Sequence, residues 1–183
     1  MTRIRLGVAL LLPARPAAEV DVLRRALGGP EAVHHIPPHL TLVPPINVRE
    51  ERLEDVESVI RRAAAAARPI SATLGPPASF LPASPVLHLA VGPGEAVTDV
   101  KRLRDAVSVE PMARDLAWPF VPHVTLLDGG DRARIAAAVE ALSVLVVDVT
   151  FGAVTLLREQ RDEDGVRIWR PVLDVSFGGT SSA

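Results

Sequence analysis

Apolar residues recur along the 183-residue chain at two different spacings, every second position in some segments and every third or fourth in others. This mixture predicts a fold of both strands and helices. Short apolar or strictly alternating runs predict strands, and longer segments with apolar residues every three or four positions predict helices. The predicted strands are Arg3–Leu12, His39–Val43, Ile70–Leu74, Val86–Val91, Phe120–Leu127, Val144–Thr150, Val154–Arg158 and Arg167–Val175. The predicted helices are Ala17–Leu27, Arg49–Ala67, Glu95–Val107 with a continuation to Leu116, and Asp131–Leu142.

Proline and glycine clusters predict where several of these elements end. Gly28-Gly29-Pro30 stops the first helix, and Pro44-Pro45 is expected to close the second strand. Residues 76–85 begin with two prolines and are predicted to form a loop. Residues 178–183 are predicted to be a disordered tail, so that residues 1–177 form one domain.

One five-residue pattern occurs twice, as Pro38-His39-Leu40-Thr41-Leu42 and, 84 positions later, as Pro122-His123-Val124-Thr125-Leu126. Residues at i and i+2 of a strand share a face, so each copy places an imidazole beside a hydroxyl. The intervening apolar residues then face a core. Two such strands brought together would line a groove with two histidines and two threonines.

The repeat and the element order together predict an α+β fold with two pseudo-symmetric lobes. In each half a strand and a helix precede the motif strand, and a helix and another strand follow it. Right-handed crossovers limit how such units wind. We therefore expect antiparallel sheets flanking a central groove, with the helices on the outside.

The amino-acid composition limits the cellular compartments and the binding partners that we expect for this protein. The chain has no Cys, which excludes disulfides, thiol nucleophiles and thiolate metal sites and suits the cytoplasm. A net charge of −2 gives the whole surface no attraction for polyanions. The apolar run Leu6–Leu12 is followed by Pro13, Arg15 and Pro16, which favours a strand over a signal peptide. We expect a monomer without membrane association, and the sequence identifies no protein partner.

The paired motifs contain the acid, base and hydrogen-bond donor groups that phosphodiester chemistry requires. Free histidine titrates near pH 6.5, so one imidazole can remove a proton while the other donates one. Threonine hydroxyls can donate to the non-bridging oxygens of a phosphate as charge develops there. A strained 2′,3′-cyclic phosphate matches this set, and the chemistry requires neither a metal nor a cofactor.

Other interpretations of the same residues stay open. The His-Thr pairs are also compatible with buried polar pairs that satisfy strand ends, with a structural or partner-binding protein, or with a module that binds nucleotides or RNA ends without turnover. Metal binding is disfavoured because no third ligand stands at a recognisable spacing.

The two motifs resemble those of the 2H phosphoesterase superfamily, which includes bacterial 2′-5′ RNA ligase and RNA 2′,3′-cyclic phosphodiesterase. Weaker similarity covers residues 5–13, 85–91, 154–159 and 169–177, so that the resemblance runs across nearly the whole chain. The resemblance implies a metal-independent phosphodiesterase that leaves a 2′-phosphomonoester, with 2′-5′ RNA ligation as the reverse reaction. It implies that His39 and His123 are catalytic and that Thr41 and Thr125 bind the phosphate. It also implies that His123 activates water while His39 protonates the leaving oxygen.

Departures from the family pattern bear on the substrate. Val43-Pro44-Pro45-Ile46 stands where many RNA-acting members have an aromatic residue and a glycine, and Leu127-Asp128-Gly129 where many have a basic residue. A small cyclic nucleotide, an RNA end and a non-RNA cyclic phosphate all fit. His88 and Arg158 are candidate substrate contacts, whereas Trp118 is expected to pack.

Overall fold

A computed structural model describes residues 2–33 and 35–178 of the chain, and it has the predicted α+β composition. The strands in this part are β1 (Arg3–Leu11), β2 (His39–Arg49), β3 (Ile70–Ser79), β4 (Val86–Val91), β5 (His123–Asp128), β6 (Val147–Phe151), β7 (Ala153–Arg161) and β8 (Arg167–Ser176). The helices are α1 (Ala14–Gly28), α2 (Leu53–Ala66), α3 (Glu95–Val107) and α4 (Arg132–Ala141). None of these helices is long and apolar enough to cross a bilayer. Apart from Gly178, the predicted tail lies outside the described residues.

The strands form one antiparallel sheet in the order β6-β3-β4-β5-β2-β1-β7-β8. The two predicted lobes correspond to its four-stranded halves. They meet where β5 pairs with β2 through Leu40 and Val124. The expected groove therefore lies along the seam of a continuous sheet.

The two halves are interlaced along the chain. The half that contains β2 also contains β1, β7 and β8, so it is built from both ends of the sequence. Helix α1 connects β1 to β2 but contacts β5, and α3 connects β4 to β5 but contacts β2. This reciprocal exchange is the pseudo-symmetry that the motif repeat predicted.

The core lies on one face of the sheet, and the motif strands alternate as expected. Leu40, Leu42, Val124 and Leu126 are each no more than 2% exposed. His39, Thr41, His123 and Thr125 lie one residue out of step with them and are half-buried on the opposite face. Burial of the apolar set therefore fixes the direction in which the two imidazoles point.

Two of the double prolines, Pro44-Pro45 and Pro76-Pro77, do not end strands, contrary to the sequence prediction. Strand β2 continues through Pro44-Pro45, and β3 continues through Pro76-Pro77. Both pairs sit at shifts in register, between Leu6 and Val8 on β1 and between Leu74 and Pro77 on β3. A bulge leaves residues out of the hydrogen-bond ladder, so a missing proline N–H costs little there.

The predicted ends of two helices also shift. The expected continuation of α3 to Leu116 does not form, because Pro111 lacks the N–H that a helix interior requires. The helix predicted from Arg49 begins instead with a short 3₁₀ turn, Glu50–Arg52, and becomes α-helical at Leu53.

Shortening Val124 should weaken the whole fold, because this residue joins the halves and is completely buried. We expect Val124→Ala to lower the free energy of unfolding by about 2 kcal/mol. Val144→Ala is the matched control, since Val144 is 89% exposed. Urea denaturation would measure both variants. Equal effects of the two substitutions would contradict the structure.

Candidate active site

The seam between the halves brings the two motifs together. Because β2 and β5 are antiparallel and Leu40 faces Val124, His39 lies next to Thr125, and Thr41 lies next to His123. The four polar side chains thus form a two-by-two group on one face. Each imidazole has a hydroxyl from the other motif across the seam and one from its own motif along the strand.

Both imidazoles are held by the same local hydrogen bond. Nδ1 of His39 is 2.8 Å from the carbonyl oxygen of Pro37, and Nδ1 of His123 is 2.7 Å from that of Val121. A carbonyl oxygen only accepts, so each Nδ1 carries a proton and donates it. In the neutral ring, Nε2 is then left as the basic nitrogen.

The three residues before each histidine form an entry segment, Ile36–Pro38 for the first motif and Phe120–Pro122 for the second. The carbonyl of Pro38 accepts a 3.0 Å hydrogen bond from the N–H of Leu12, and that of Pro122 accepts one of equal length from Val91. Leu12 directly follows β1, the neighbour of β2, and Val91 is the last residue of β4, the neighbour of β5. Matching backbone contacts therefore aim the two histidines in equivalent ways.

His88 adds a third imidazole on the same face. It pairs with Thr125 between β4 and β5 and is only 3% exposed. Its ring stacks on Phe80 with centroids 4.1 Å apart and meets the His123 ring edge-on at 5.1 Å. The His88 Nδ1 has no hydrogen-bond partner among the described residues. The His88 ring thus packs against the His123 ring. Strand periodicity alone does not predict this contact.

Burial keeps the imidazoles neutral when no ligand is bound. Desolvation is the main cause that lowers the pKa of His39 to about 4; the Pro37 hydrogen bond opposes this shift, and the charges of Arg24 and His123 contribute to it. Desolvation and, to a smaller extent, the charge of His123 lower the pKa of His88 to about 4. Desolvation also lowers the pKa of His123, although the Val121 hydrogen bond opposes this. A phosphate anion in the groove would shift all three pKa values upward.

Arg158 is not brought to this group. It shares its strand face with Val154 and Leu156, which are buried in the core on the other side of the sheet. Its Nη2 donates to Glu50 Oε1 at 3.3 Å. The sequence placed Arg158 at the end of an apolar strand but gave no information on which face it occupies.

Arg24 is a further residue of this site, which the motif pattern did not indicate; it is only 4% exposed and donates hydrogen bonds to backbone carbonyls near both motifs. A signal was present, because Arg24 follows Val20 by four residues on the apolar stripe of α1. A charged residue at that position must find partners inside the protein.

A cavity of about 460 Å³ opens beside the imidazoles on the His123 side. Thr41 and His123 contribute to its wall, and most of the remaining wall is apolar. Its main aromatic and aliphatic residues are Phe80, Leu116, Trp118, Phe120 and Val121. Trp118 is 75% exposed, so the expectation that it packs is wrong. Within residues 2–33 and 35–178, no three His, Asp or Glu side chains group as metal ligands.

Residues 12–163 match the family model described as the 2′-5′ RNA ligase superfamily. The chain belongs to that superfamily. This confirms the resemblance to the 2H phosphoesterases.

Curated relatives of this superfamily member carry a matching description. A Bacillus pumilus protein named "Putative phosphoesterase" is 33% identical over 91 residues, which cover 50% of this chain and 52% of that protein. A Geobacillus kaustophilus protein of the same description is 28% identical over 123 residues, covering 67% and 68%. The matched region thus spans about half the length of the first of these relatives.

Solved structures share the fold of this chain. Escherichia coli LigT complexed with 3′-AMP has a TM-score of 0.68 at 21% identity, covering 97% of this chain and all of that one. LigT complexed with NADP+ has a TM-score of 0.66 at 22% identity, with the same coverage. Thermus thermophilus TT0787 has a TM-score of 0.64 at 21% identity, covering 96% and 99%.

Stability should decrease as the pH falls from about 7 to 4. Histidine in the unfolded chain titrates near pH 6.5, whereas folded His39 and His88 have pKa values of about 4. The unfolded state therefore binds more protons in this window, which favours unfolding. His88→Phe removes one of these groups and should flatten the dependence. Urea midpoints at several pH values would measure it, and an unchanged slope in the variant would refute the buried neutral His88.

Proposed function

We propose that this protein is a phosphodiesterase that hydrolyses a 2′,3′-cyclic phosphate, on a small nucleotide or an RNA end, to a 2′-phosphomonoester without a metal ion. The observation that carries the proposal is the matched pair of motif imidazoles. Each is fixed through Nδ1 to a carbonyl two residues earlier and stands beside threonine hydroxyls across the seam.

The proposed reaction needs one neutral and one protonated imidazole. The Nε2 of one histidine accepts a proton from water as the water oxygen attacks phosphorus. The bond from phosphorus to the 3′ oxygen breaks, and the second histidine donates its Nε2 proton to that oxygen. Thr41 and Thr125 donate to the non-bridging oxygens, where negative charge builds up. The same groups with exchanged roles would carry out 2′-5′ ligation of RNA ends.

Binding of the substrate supplies the protonated partner. Desolvation lowers the pKa of both His39 and His123 in the ligand-free groove, so both rings are neutral near pH 7. A phosphate anion held between them favours one imidazolium by charge attraction. The proton is therefore taken up with the substrate, which sets the reactive protonation state only when the substrate is present.

The relatives support a nucleotide as the substrate class. LigT has been crystallised with 3′-AMP, NADP+ and ATP, and the curated relatives are named as phosphoesterases. The cavity beside His123 fits one flat substituent of a small phosphodiester, since Trp118 and Phe120 line it. The described residues that line it include no Arg or Lys. This favours a small nucleotide or a chain end over a long polyanion.

Removal of either imidazole should abolish turnover. We expect His39→Ala and His123→Ala each to lower kcat for 2′,3′-cyclic AMP at least 100-fold, because general acid and base catalysis contribute roughly 10²–10⁴-fold each. Product release followed by chromatography in excess chelator would measure this. His35→Gln is the control, since His35 is exposed and outside the four-residue group.

A nucleotide-binding module without turnover predicts a different result. In that case the unmodified protein would bind the cyclic nucleotide but release no 2′-phosphomonoester, and the alanine variants would have no activity to lose. Loss of activity on adding chelator would instead contradict the metal-independent mechanism.

The leaving group should reveal which histidine is the acid. The resemblance assigns that role to His39, but the nearby charge of Arg24 disfavours protonation of His39. A p-nitrophenyl phosphodiester expels an anion that needs no proton. The alanine variant that lacks the acid should therefore lose at least 10-fold less kcat on this ester than on the cyclic nucleotide. Equal losses in both variants on both substrates would contradict a division into acid and base.

A further inference from the structure

Arg24 is a buried charge that the proposed reaction does not use. It lies on α1 and is 4% exposed. The only other polar residues buried to this degree in the described part of the chain are His88 and Thr155. An arginine removed from water destabilises a protein unless its donors are satisfied, so its contacts indicate why it is there.

The guanidinium of Arg24 links the two motifs. Its Nε donates to the carbonyl oxygen of Thr125 on β5, and its Nη1 donates to that of Ile36 in the first entry segment, both at 3.1 Å. Asp21, one turn earlier on α1, has Oδ1 3.9 Å from Nη1 and partly balances the charge. The planar fork of an arginine suits two acceptors with a fixed separation.

The first entry segment depends on its carbonyl groups. Pro37 and Pro38 have no N–H, so the backbone donors that would normally hold such a segment are missing. The Ile36 carbonyl accepts from Arg24, the Pro37 carbonyl from His39 Nδ1, and the Pro38 carbonyl from the N–H of Leu12. Arg24 therefore fixes the residue next to the one that orients the His39 ring.

The second motif has a different arrangement at the equivalent place. Arg104 lies on α3, the counterpart of α1, and its guanidinium stands 5.0 Å above the ring of Phe120. Phe120 precedes His123 by three residues, as Ile36 precedes His39. Arg104 pairs with Asp105 at 2.9 Å and, in the part of the chain that the structure describes, has no hydrogen bond to a motif strand. Within the described ranges, the hydrogen bonds of Arg24 to Thr125 and Ile36 thus have no counterpart at the second motif, and the site departs from pseudo-symmetry there.

We propose that Arg24 is a positioning residue for the phosphodiesterase site, which fixes His39 relative to the strand that carries Thr125. This inference rests on the proposed function for its effect on turnover. Arg24 also contributes to the charge around His39, on which His123 from β5 and the Pro37 carbonyl act as well. Its positive charge lowers the pKa of His39, in addition to the larger effect of desolvation.

The test compares Arg24→Met and Arg24→Lys with Arg25→Met. Methionine removes both the donors and the charge, lysine keeps the charge but not the fork, and Arg25 is an exposed neighbour on the same helix. NMR of ¹⁵N-histidine protein, titrated over pH, would follow the tautomer and the pKa of His39. Turnover of 2′,3′-cyclic AMP would give kcat and KM for each protein.

We expect Arg24→Met to lower kcat about 100-fold with a smaller change in KM, as for a misplaced catalytic group. Its His39 should titrate at higher pH than in the unmodified protein and should show a mixture of tautomers. Arg24→Lys should keep the low pKa and lose less activity, and Arg25→Met should match the unmodified protein.

A folded Arg24→Met protein with unchanged His39 titration and unchanged kcat would overturn the proposal and leave Arg24 a stabilising residue only. If Arg24→Met does not fold, the tautomer of His39 in Arg24→Lys decides, and an unmixed Nδ1–H tautomer with full kcat overturns it. If the unmodified protein shows no turnover, the proposed function fails. The His39 signals of the variants still test the positioning effect.

Discussion

A single pair of facing residues, Leu40 and Val124, joins the four-stranded halves of the sheet, and the site geometry follows from it. Both side chains are completely buried, and each is preceded in its strand by the histidine of its motif. Because neighbouring strand residues point to opposite faces, the hydrophobic core determines where the imidazoles lie. A shift of one strand by one residue would turn its histidine into the core and leave the other without a partner.

The local backbone adds the orientation that strand pairing alone does not provide. Each histidine donates from Nδ1 to the carbonyl two residues earlier, and each preceding proline presents its carbonyl to the adjacent strand or its end. The two motifs thus carry their own alignment within a few residues of sequence. The differences between the sites come from outside the motifs: Arg24 near His39, and His88 with Phe80 near His123.

Much of this arrangement follows from the sequence because it depends on short-range periodicity. The alternation in His39–Leu42 and His123–Leu126 predicted both the polar face and the core face, and the repeat predicted two halves. The full extent of β2 and β3 could not be predicted, since a double proline ends a strand unless a bulge receives it. Arg24 and Arg158 show the same limit, because their roles depend on which element packs against them across distant parts of the chain.

The interlaced order of strands has a consequence for synthesis on the ribosome. Strands β3 to β6 are consecutive between Ile70 and Phe151, so one half of the sheet can pair before the chain is finished. The half that contains β1 gains β7 and β8 only from residues 153–176, at the other end of the chain. Until those residues emerge, one edge of β1 has no neighbouring strand, and such an edge invites pairing with other chains. The nascent protein therefore contains both motifs for some time before β7 and β8 complete its sheet.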